Sequence, residues 1–545
     1  MGQDEKALVR ATVFGHLAGI VLAPTVKALA DRKVFDLFGT SSPWLDLDQI
    51  MEYTRGNRGY LRVALRLLTA CGWLRQRLGD HQSLAYQLTP EGRIAVQVAP
   101  ALYGQAVSFI PKAVFLEDFL FGSSDAPVLP SLQALVAKAT ERWGIRSSAD
   151  SATAKVYGQI RTHLDGMLVG PAMVAFARGG VLEQLEQGPR SLERIAGNRT
   201  SVGHLFDLLA TQGWLERDRT AVRLTSCGQY AAQIATSYGV TVSYLPLLNA
   251  VSTLLFGNPR IPRVDDGGVE LLVNRGMNVW GSGGAHKTYF KKVDEIVAEI
   301  FNRPIERQPQ GISDMGCGDG TFLEHLYSVV KHRTARGTVL DKHPLILVGV
   351  DFNKVARRAA KQTLRKSECA TYHVIGGDIN RPAQLASDLE ELGLDIHDLL
   401  HVRSFLDHNR PYSSPTSYVP GTRRASSTGA FCHLGQEIAP DELEENLVRH
   451  LRRWAPYVGR FGLLVLELHT LPPELTAANL ERTPAVAYDG THGYSDQYLV
   501  ELPIFLECAQ EAGLQADARY QCRFPASDLA TVSLNFFTTP ASATS

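Results

Sequence analysis

The residues in this chain most able to do chemistry sit where apolar runs end. ISDMGCGDG (Ile312 to Gly320) closes one such run and opens a helix-like one. Its glycines Gly316, Gly318 and Gly320 let the backbone turn tightly and approach a ligand closely. The spacing is GxGxG, preceded by Asp314, whereas a nicotinamide dinucleotide loop would read GxGxxG to cradle a pyrophosphate. LVGVDFN places Asp351 at the end of the next apolar run, where a carboxylate can accept both hydroxyls of a ribose. HVIGGDIN places Asp378 at the end of the third, a position suited to an adenine amino group. One glycine-rich loop says little, but three acidic run-ends in this order point to a nucleoside-bearing ligand. A fourth stretch, YDGTHGYSDQY (Tyr488 to Tyr498), has no hydrophobic period. It carries more side-chain chemistry than a linker needs, and a core could not bury it unpaired.

The elements that must hold these residues are legible from the same pattern. From residue 311 onward, strand-like and helix-like runs alternate: GISDM then TFLEHLYSVV, LILVGVD then KVARRAAKQTL, then TYHVIGG, HDLLHVRS, DELEENLVRHLRRW and GLLVLEL. That is an α/β, Rossmann-type, doubly wound sheet over 311–545. Pro411 to Cys432 reads as a loop covering the site. Upstream, HLAGIVLAP (His16 to Pro24) returns as HLDGMLVGP (His163 to Pro171), and GWL at 72–74 returns at 213–215. LTPEG (88–92) returns as LTSCG (224–228), and FLFG (119–122) as LLFG (254–257). Four landmarks in one order mark two copies of one mostly helical, winged-helix-like module, at 1–130 and 150–258. Residues 259–310 then read as a helical lid or linker.

The bulk numbers exclude several functions. With 545 residues, 45% hydrophobic and a net charge of −1, the chain reads as soluble, with room for two to four domains. It lacks the basic surplus that nucleic-acid binding needs. The helices that would read DNA carry few bases (Tyr60, Arg62 and Arg66 in the first copy; His204, Phe206 and Asp207 in the second), so packing or dimerisation is the expected use of the modules. The seven cysteines are scattered and never form CxxC, which excludes a disulfide framework and a zinc–thiolate site. No apolar run is read as reaching the roughly 18 residues of a membrane span, and no signal core opens the chain. A cytoplasmic protein with neither membrane nor nucleic-acid partner is expected. The small polar C-terminus suits a domain within a larger polypeptide.

Together the glycine loop and acidic run-ends resemble the class I S-adenosylmethionine-dependent methyltransferases over about 310 to 540. That resemblance implies S-adenosylmethionine as cofactor, held by Asp314, Gly316, Gly318, Asp351, Phe352, Asp378, Ile379 and Arg403. Tyr289 of NVWGSGGAHKTYF could lie over it as a lid; a plain helix start is the other reading of that segment. Small-molecule O-methyltransferases with winged-helix modules place a base histidine after the fourth strand, and LLHVRSFLDHNRPY offers His408.

NVWGSGGAHKTYF, SFLDHNRPY, VLELHT and THGYSDQY resemble more specifically the metal-dependent C-methyltransferases of polyketide synthase loading modules, of the apratoxin synthase type. The resemblance implies an acyl carrier protein bearing a malonyl-type substrate, neighbouring polyketide synthase domains, and a mononuclear iron (or manganese) that stabilises an enolate as a Lewis acid. His492 and Gln497, on a loop entering a helix, would be ligands together with Asp407. His408 would be base or second ligand, and Tyr488 and Tyr494 would polarise a carbonyl or close the pocket. HLGQE (His433 to Glu437), at a possible helix start, is a rival ligand pair. Glu467 and His469 are expected to support the site from behind.

Overall fold

A computed structural model describes the chain except residues 40–42, 79–83, 123–129, 196, 219–220, 416–417, 420, 422–426 and 540–545, and the side chains of 284–288. The chain divides into two compact units. The first comprises Met1–Ala285, Ala430–Glu437 and Pro472–Asp496; the second comprises His286–Gly429, Ile438–Leu471 and Gln497–Ser545. Two segments of the stretch read as one domain, 430–437 and 472–496, thus pack with the helical unit.

The first unit repeats one succession of elements. It begins with helix α1 (Gln3–Asp31), strand β1 (Leu45–Asp46), helices α2 (Leu47–Thr54) and α3 (Arg58–Ala70), strands β2 (Leu74–Leu78) and β3 (Leu84–Leu88), and helix α4 (Pro90–Val107). The second pass runs α5 (Ser151–Arg178), α6 (Val181–Glu186), α7 (Arg199–Thr211), β4 (Leu215–Arg217), β5 (Val222–Leu224) and α8 (Ser226–Gln233). Strands β2 and β3 pair antiparallel, as do β4 and β5, and β1 adds to β3.

The sequence landmarks mark where backbones meet. A Cβ on Gly19 would lie 2.3 Å from the His163 backbone, and one on Gly166 would lie 2.4 Å from the His16 backbone. The two HLxG motifs are therefore the crossing point of α1 and α5, each glycine admitting the other helix. The LT and GWL landmarks also belong together. Thr89 caps α4 by accepting the Gly92 N–H at 2.9 Å, and Thr225 caps α8 by accepting the Gly228 N–H at 3.0 Å. A Cβ at Gly92 would meet the Trp73 carbonyl, and one at Gly228 the Trp214 carbonyl.

Helix α1 corrects one expectation. By length and composition it holds an 18-residue window apolar enough to cross a membrane, with mean hydropathy 1.6. In the structure 78% of that window is buried, so its apolarity serves the core of the first unit. Helix α3, the would-be reading helix of the first copy, is buried from Gly59 to Ala70.

The second unit holds the expected sheet. Its strands are β6 (Gly311–Met315), β7 (Ile346–Asp351), β8 (Thr371–Gly376), β9 (Leu399–Ser404), β10 (Leu463–Leu468), β11 (Gln515–Ala516), β12 (Cys522–Phe524) and β13 (Val532–Thr538). Across the sheet the order is β11-β13-β10-β9-β6-β7-β8, with β12 also on β13. Strands β8, β7, β6, β9 and β10 run parallel and β13 runs antiparallel to β10. Helix α9 (Arg275–Phe301) begins in the first unit and ends in the second; α10 (Thr321–Arg333), α11 (Lys354–Lys366), α12 (Pro382–Glu390), α13 (Pro440–Trp454) and α15 (Leu502–Glu511) belong to the second, and α14 (Ala485–Tyr494) belongs to the first. Because the central strands are parallel, their carboxyl ends share one edge, where a ligand crevice forms in such sheets.

Candidate active site

At that edge β6 passes into the glycine loop. Gly316, Gly318 and Gly320 have φ of +82°, +54° and +81°, backbone that L side chains rarely adopt. A Cβ on Gly316 would also lie 2.9 Å from the Leu406 side chain, in the turn after β9. The loop is tied to the next strand: the Gly318 N–H donates to Asp351 Oδ2 at 3.1 Å, and the Gly316 N–H to the Val350 carbonyl at 2.8 Å. Asp351 Oδ1 accepts the Asn353 N–H at 2.7 Å, so this carboxylate, the expected ribose acceptor, also organises the loop. Phe352, beside it, is 82% exposed, an apolar face available for a ring to stack on.

Asp378 Oδ1 accepts the Asn380 N–H at 2.8 Å, while Ile379 is buried and its carbonyl accepts the Trp454 indole N–H at 2.7 Å. Asp314 is buried, and its Oδ1 has no partner among the described residues. Burial, and then the nearby Asp351 charge, push its carboxyl up to about 8. An unsatisfied carboxyl in an acidic crevice suits a ligand bearing cationic donors, as S-adenosylmethionine does. Tyr289 on α9 is half-buried, its ring edge against Phe524 with centroids 4.8 Å apart and against Phe405 at 6.1 Å.

The turn after β9 carries the next group. Phe405 has φ +55° and its N–H donates to the Leu466 carbonyl at 2.7 Å, turning the chain sharply before Asp407 and His408. His408 is buried, and its Nδ1 lies 2.5 Å from Glu467 Oε1 at the end of β10. A carboxylate there can only accept, so Nδ1 carries the hydrogen and the neutral ring has its lone pair on Nε2. Glu467 Oε2 also accepts the His408 backbone N–H at 3.2 Å, and the His408 carbonyl accepts the Tyr498 N–H at 2.8 Å. The arrangement is a buried imidazole oriented by a carboxylate. His469 instead bonds Ser533 Oγ at 2.7 Å and the Val500 carbonyl, inside the sheet.

Asp407 and Arg403 sit in a buried network. Asp407 Oδ1 accepts from Arg403 Nη1 at 2.7 Å and lies 2.8 Å from His450 Nε2, on α13. Burial raises the Asp407 carboxyl, but the Arg403 guanidinium and then His450 outweigh it and hold it below the usual carboxylate range. Arg403 lies flat over the Trp454 ring, 4.1 Å from its centroid. His450, pulled down to about 4 mainly by burial, also meets Asn380 Oδ1 at 3.1 Å. Polar contacts thus run from Asp378 through Asn380 and His450 to Asp407, beside the base. His450 and Arg410, which donates to the Asp407 carbonyl at 2.9 Å, were invisible in the sequence. Nothing in the spacing of α13 relates His450 to a carboxylate 43 positions earlier.

The stretch from Tyr488 to Asp496 belongs to the first unit, and most of it is helix rather than the expected loop. Its small residues explain this. A Cβ on Gly490 would lie 2.0 Å from Val21 Cγ1, and one on Gly493 2.8 Å from Val63 Cγ1, so the glycines let α14 settle against α1 and α3. Asp489 pairs with Arg66 at 3.0 Å, both buried. Asp496 accepts from Tyr60 Oη and Arg263 Nη2, each at 2.8 Å. Tyr494 is fully buried in this core, its Oη 3.0 Å from Thr25 Oγ1. His492 is buried, with Nδ1 2.8 Å from the Tyr488 carbonyl one turn earlier, so in the neutral ring the lone pair is on Nε2. Half-buried Tyr488 stands edge-on to the His492 ring.

Asp407 and the half-buried Gln497 belong to the second unit. The rival HLGQE is no helix start: Phe431–His433 and Gln436–Ile438 are short strands, and Glu437 is bonded to Arg58 and Arg62.

Three family models match: the AprA N-terminal domain at residues 9–76, the AprA winged helix domain at 165–258, and the AprA MT2-like domain at 270–535. No curated protein matches the chain. Among solved structures, the mitomycin 7-O-methyltransferase MmcR is similar over 71% of this chain and 99% of its own, with 14% identity and a TM-score of 0.41. An O-methyltransferase family protein from Burkholderia thailandensis follows with 68% and 94% coverage, 13% identity and 0.39. Human N-acetylserotonin methyltransferase in complex with S-adenosylmethionine gives 72% and 99%, 14% and 0.38. Likenesses this low carry no argument about substrate.

Proposed function

Because the chain is a class I S-adenosylmethionine-dependent methyltransferase that resembles the AprA-type enzymes, we propose that it methylates the α-carbon of a malonyl-type thioester on an acyl carrier protein in polyketide assembly. The observation that carries the chemistry is the buried His408–Glu467 pair, two residues from Leu406, against which the glycine loop closes. The match to the AprA MT2-like domain supports methyl transfer, and the carbon acceptor is what the resemblance to the AprA-type enzymes implies. In this reading His408 Nε2 takes the α-proton, and Glu467 stabilises the imidazolium that forms. S-adenosylmethionine, bound at the glycine loop, would supply the methyl group to the α-carbon and be released as S-adenosylhomocysteine.

Iron or manganese remains part of the proposal, although among the described residues no group of three His, Cys, Asp or Glu side chains is placed to hold a metal ion. His492 donates its Nδ1 hydrogen to a backbone carbonyl, the kind of support that metal-binding imidazoles have, and Nε2 would be its ligating atom. Asp407 has Oδ1 engaged by two cationic or hydrogen-donating groups and only Oδ2 without a partner, which fits one monodentate bond. Gln497 would bring an amide oxygen. A bound divalent ion would stabilise enolate charge as a Lewis acid.

A base with its orienting carboxylate also serves a hydroxyl acceptor, so a small-molecule O-methyltransferase using His408 is the second reading. One experiment separates them: purified protein, labelled S-adenosylmethionine and malonyl carrier protein, with product analysis and metal content measured with and without chelator. Methyl carbon bonded to the α-carbon is expected. Transfer only to phenolic hydroxyls, undiminished by chelator, would replace this reading with the second.

A further inference from the structure

Helix α11 carries six cations and no acidic residue in KVARRAAKQTLRK, within a chain whose net charge is −1. Ala360 and Leu364 face inward, against β7 and β8, and Arg357 is half-buried, donating to the Asp351 and Phe352 carbonyls at 2.7 and 2.8 Å. The remaining cations are exposed: Lys354, Arg358, Lys361, Arg365 and Lys366. The first four are spaced by four, three and four residues, which aligns them in one stripe along the helix. Among the described residues, none of the five has a carboxylate partner.

Other surface cations of the same unit do find partners. Lys331 pairs with Glu368, Arg333 with Asp294, and Arg449 with Glu445, each at 2.6 Å. The stripe is therefore a local excess. Its position is also specific. Helix α11 starts three residues after Asp351, so its first turn lies at the sheet edge that carries the glycine loop and the His408 turn. Its 13 residues span about 20 Å.

We propose that the exposed basic face of α11 is the docking surface for the acidic carrier protein that delivers the acyl thioester. This inference rests on the acceptor proposed above and adds where that partner is held. A small helical protein with a surplus of surface carboxylates complements a straight row of cations, and its flexible pantetheine arm carries the thioester from the helix to the carboxyl ends of the strands. Such long-range pairing steers encounter and is weakened by salt.

The test uses the full chain, malonyl carrier protein, and malonyl-pantetheine as a substrate without a carrier. In the variant Lys361→Glu/Arg365→Glu, both changed side chains are exposed and lie two turns or more from Asp351. Carrier affinity, read by fluorescence anisotropy, should fall about tenfold or more, and KM for the carrier-bound substrate should rise in step. kcat, S-adenosylmethionine affinity and the rate on malonyl-pantetheine should be unchanged, and Lys361→Arg/Arg365→Lys should behave as wild type. Unchanged carrier affinity in the reversed variant overturns the proposal. So does wild-type preference for duplex DNA or anionic vesicles over the carrier, lost in that variant. If the wild type methylates neither thioester, the proposed reaction falls and the docking surface with it. If it methylates both and the variant is indifferent, only the docking surface falls.

Discussion

In the proposed reaction His408 and Glu467 would divide the work of one base: the imidazole would move the proton, and the carboxylate would fix which nitrogen receives it. His408→Gln should therefore lower kcat by about 10²–10⁴-fold. S-adenosylmethionine affinity should stay at the wild-type value, because the glycine loop and Asp351 are untouched. Glu467→Gln should also slow turnover, and combining the two should cost little more than His408→Gln alone, since they act as a unit. Single-turnover kinetics and calorimetry on the three variants decide this, and full turnover in His408→Gln would remove the base from the mechanism. Asp314 makes a second prediction at this scale. Its carboxyl stays neutral in the folded protein up to about 8, whereas its ordinary value is 3.8. As pH rises between these values the unfolded chain releases its proton first, so stability present below about pH 4 is lost toward pH 8. Asp314→Asn should flatten that decline in urea midpoints taken from pH 5 to 8.5. An unaltered slope would mean that the native carboxyl is already ionised.

Helices α1 and α5 cross where each lacks a side chain, and the opposing atoms are backbone. Gly19→Ala and Gly166→Ala each gain about 1 kcal/mol of helix propensity but force two backbones apart. The net effect expected is a loss of about 2 kcal/mol or more, seen as a lower denaturation midpoint. A neutral outcome in both would show that the crossing is loose. The same crossing buries two histidines: His16 Nδ1 lies 2.7 Å from Tyr238 Oη, and His163 Nδ1 lies 2.6 Å from Tyr103 Oη. Burial pulls both down to about 3 from 6.5. Below pH 6.5 the unfolded chain binds protons that the folded one refuses, so stability should drain as pH falls toward 3. Replacing both histidines by glutamine should shallow that loss in thermal melts between pH 7 and 4.

At the scale of the whole molecule, the proposed metal separates the two readings of the function, and His492 is the residue that tests it. His492→Ala should lose bound iron or manganese together with turnover while S-adenosylmethionine still binds. As a plain helix residue, His492 would cost only about 1 kcal/mol for its lost hydrogen bond, with metal content unchanged. Metal analysis and cofactor affinity on this one variant distinguish the two, and retained stoichiometric metal would end the assignment.

The alternation of apolar runs, the GxGxG loop and the sequence repeats were enough to read the α/β sheet, the glycine turn at its strand ends and the repeated succession of elements, because strand period, glycine at positive φ and helix caps are local properties of sequence. His408 was singled out by its place after the fourth strand, and the structure adds its Glu467 partner. What YDGTHGYSDQY does was not. Its polarity reads locally as a loop, yet Gly490 and Gly493 are small for the sake of Val21 and Val63, more than 400 positions away, and Asp489 is paid for by Arg66. The His450–Asp407 bond, the Glu467 support of His408 and the burial of α3 are likewise long-range. Each depends on which side chains the fold brings within hydrogen-bond distance or out of water, and no spacing along the chain encodes that. Tertiary structure alone turned a polar stretch into core and gave one candidate histidine an orienting carboxylate.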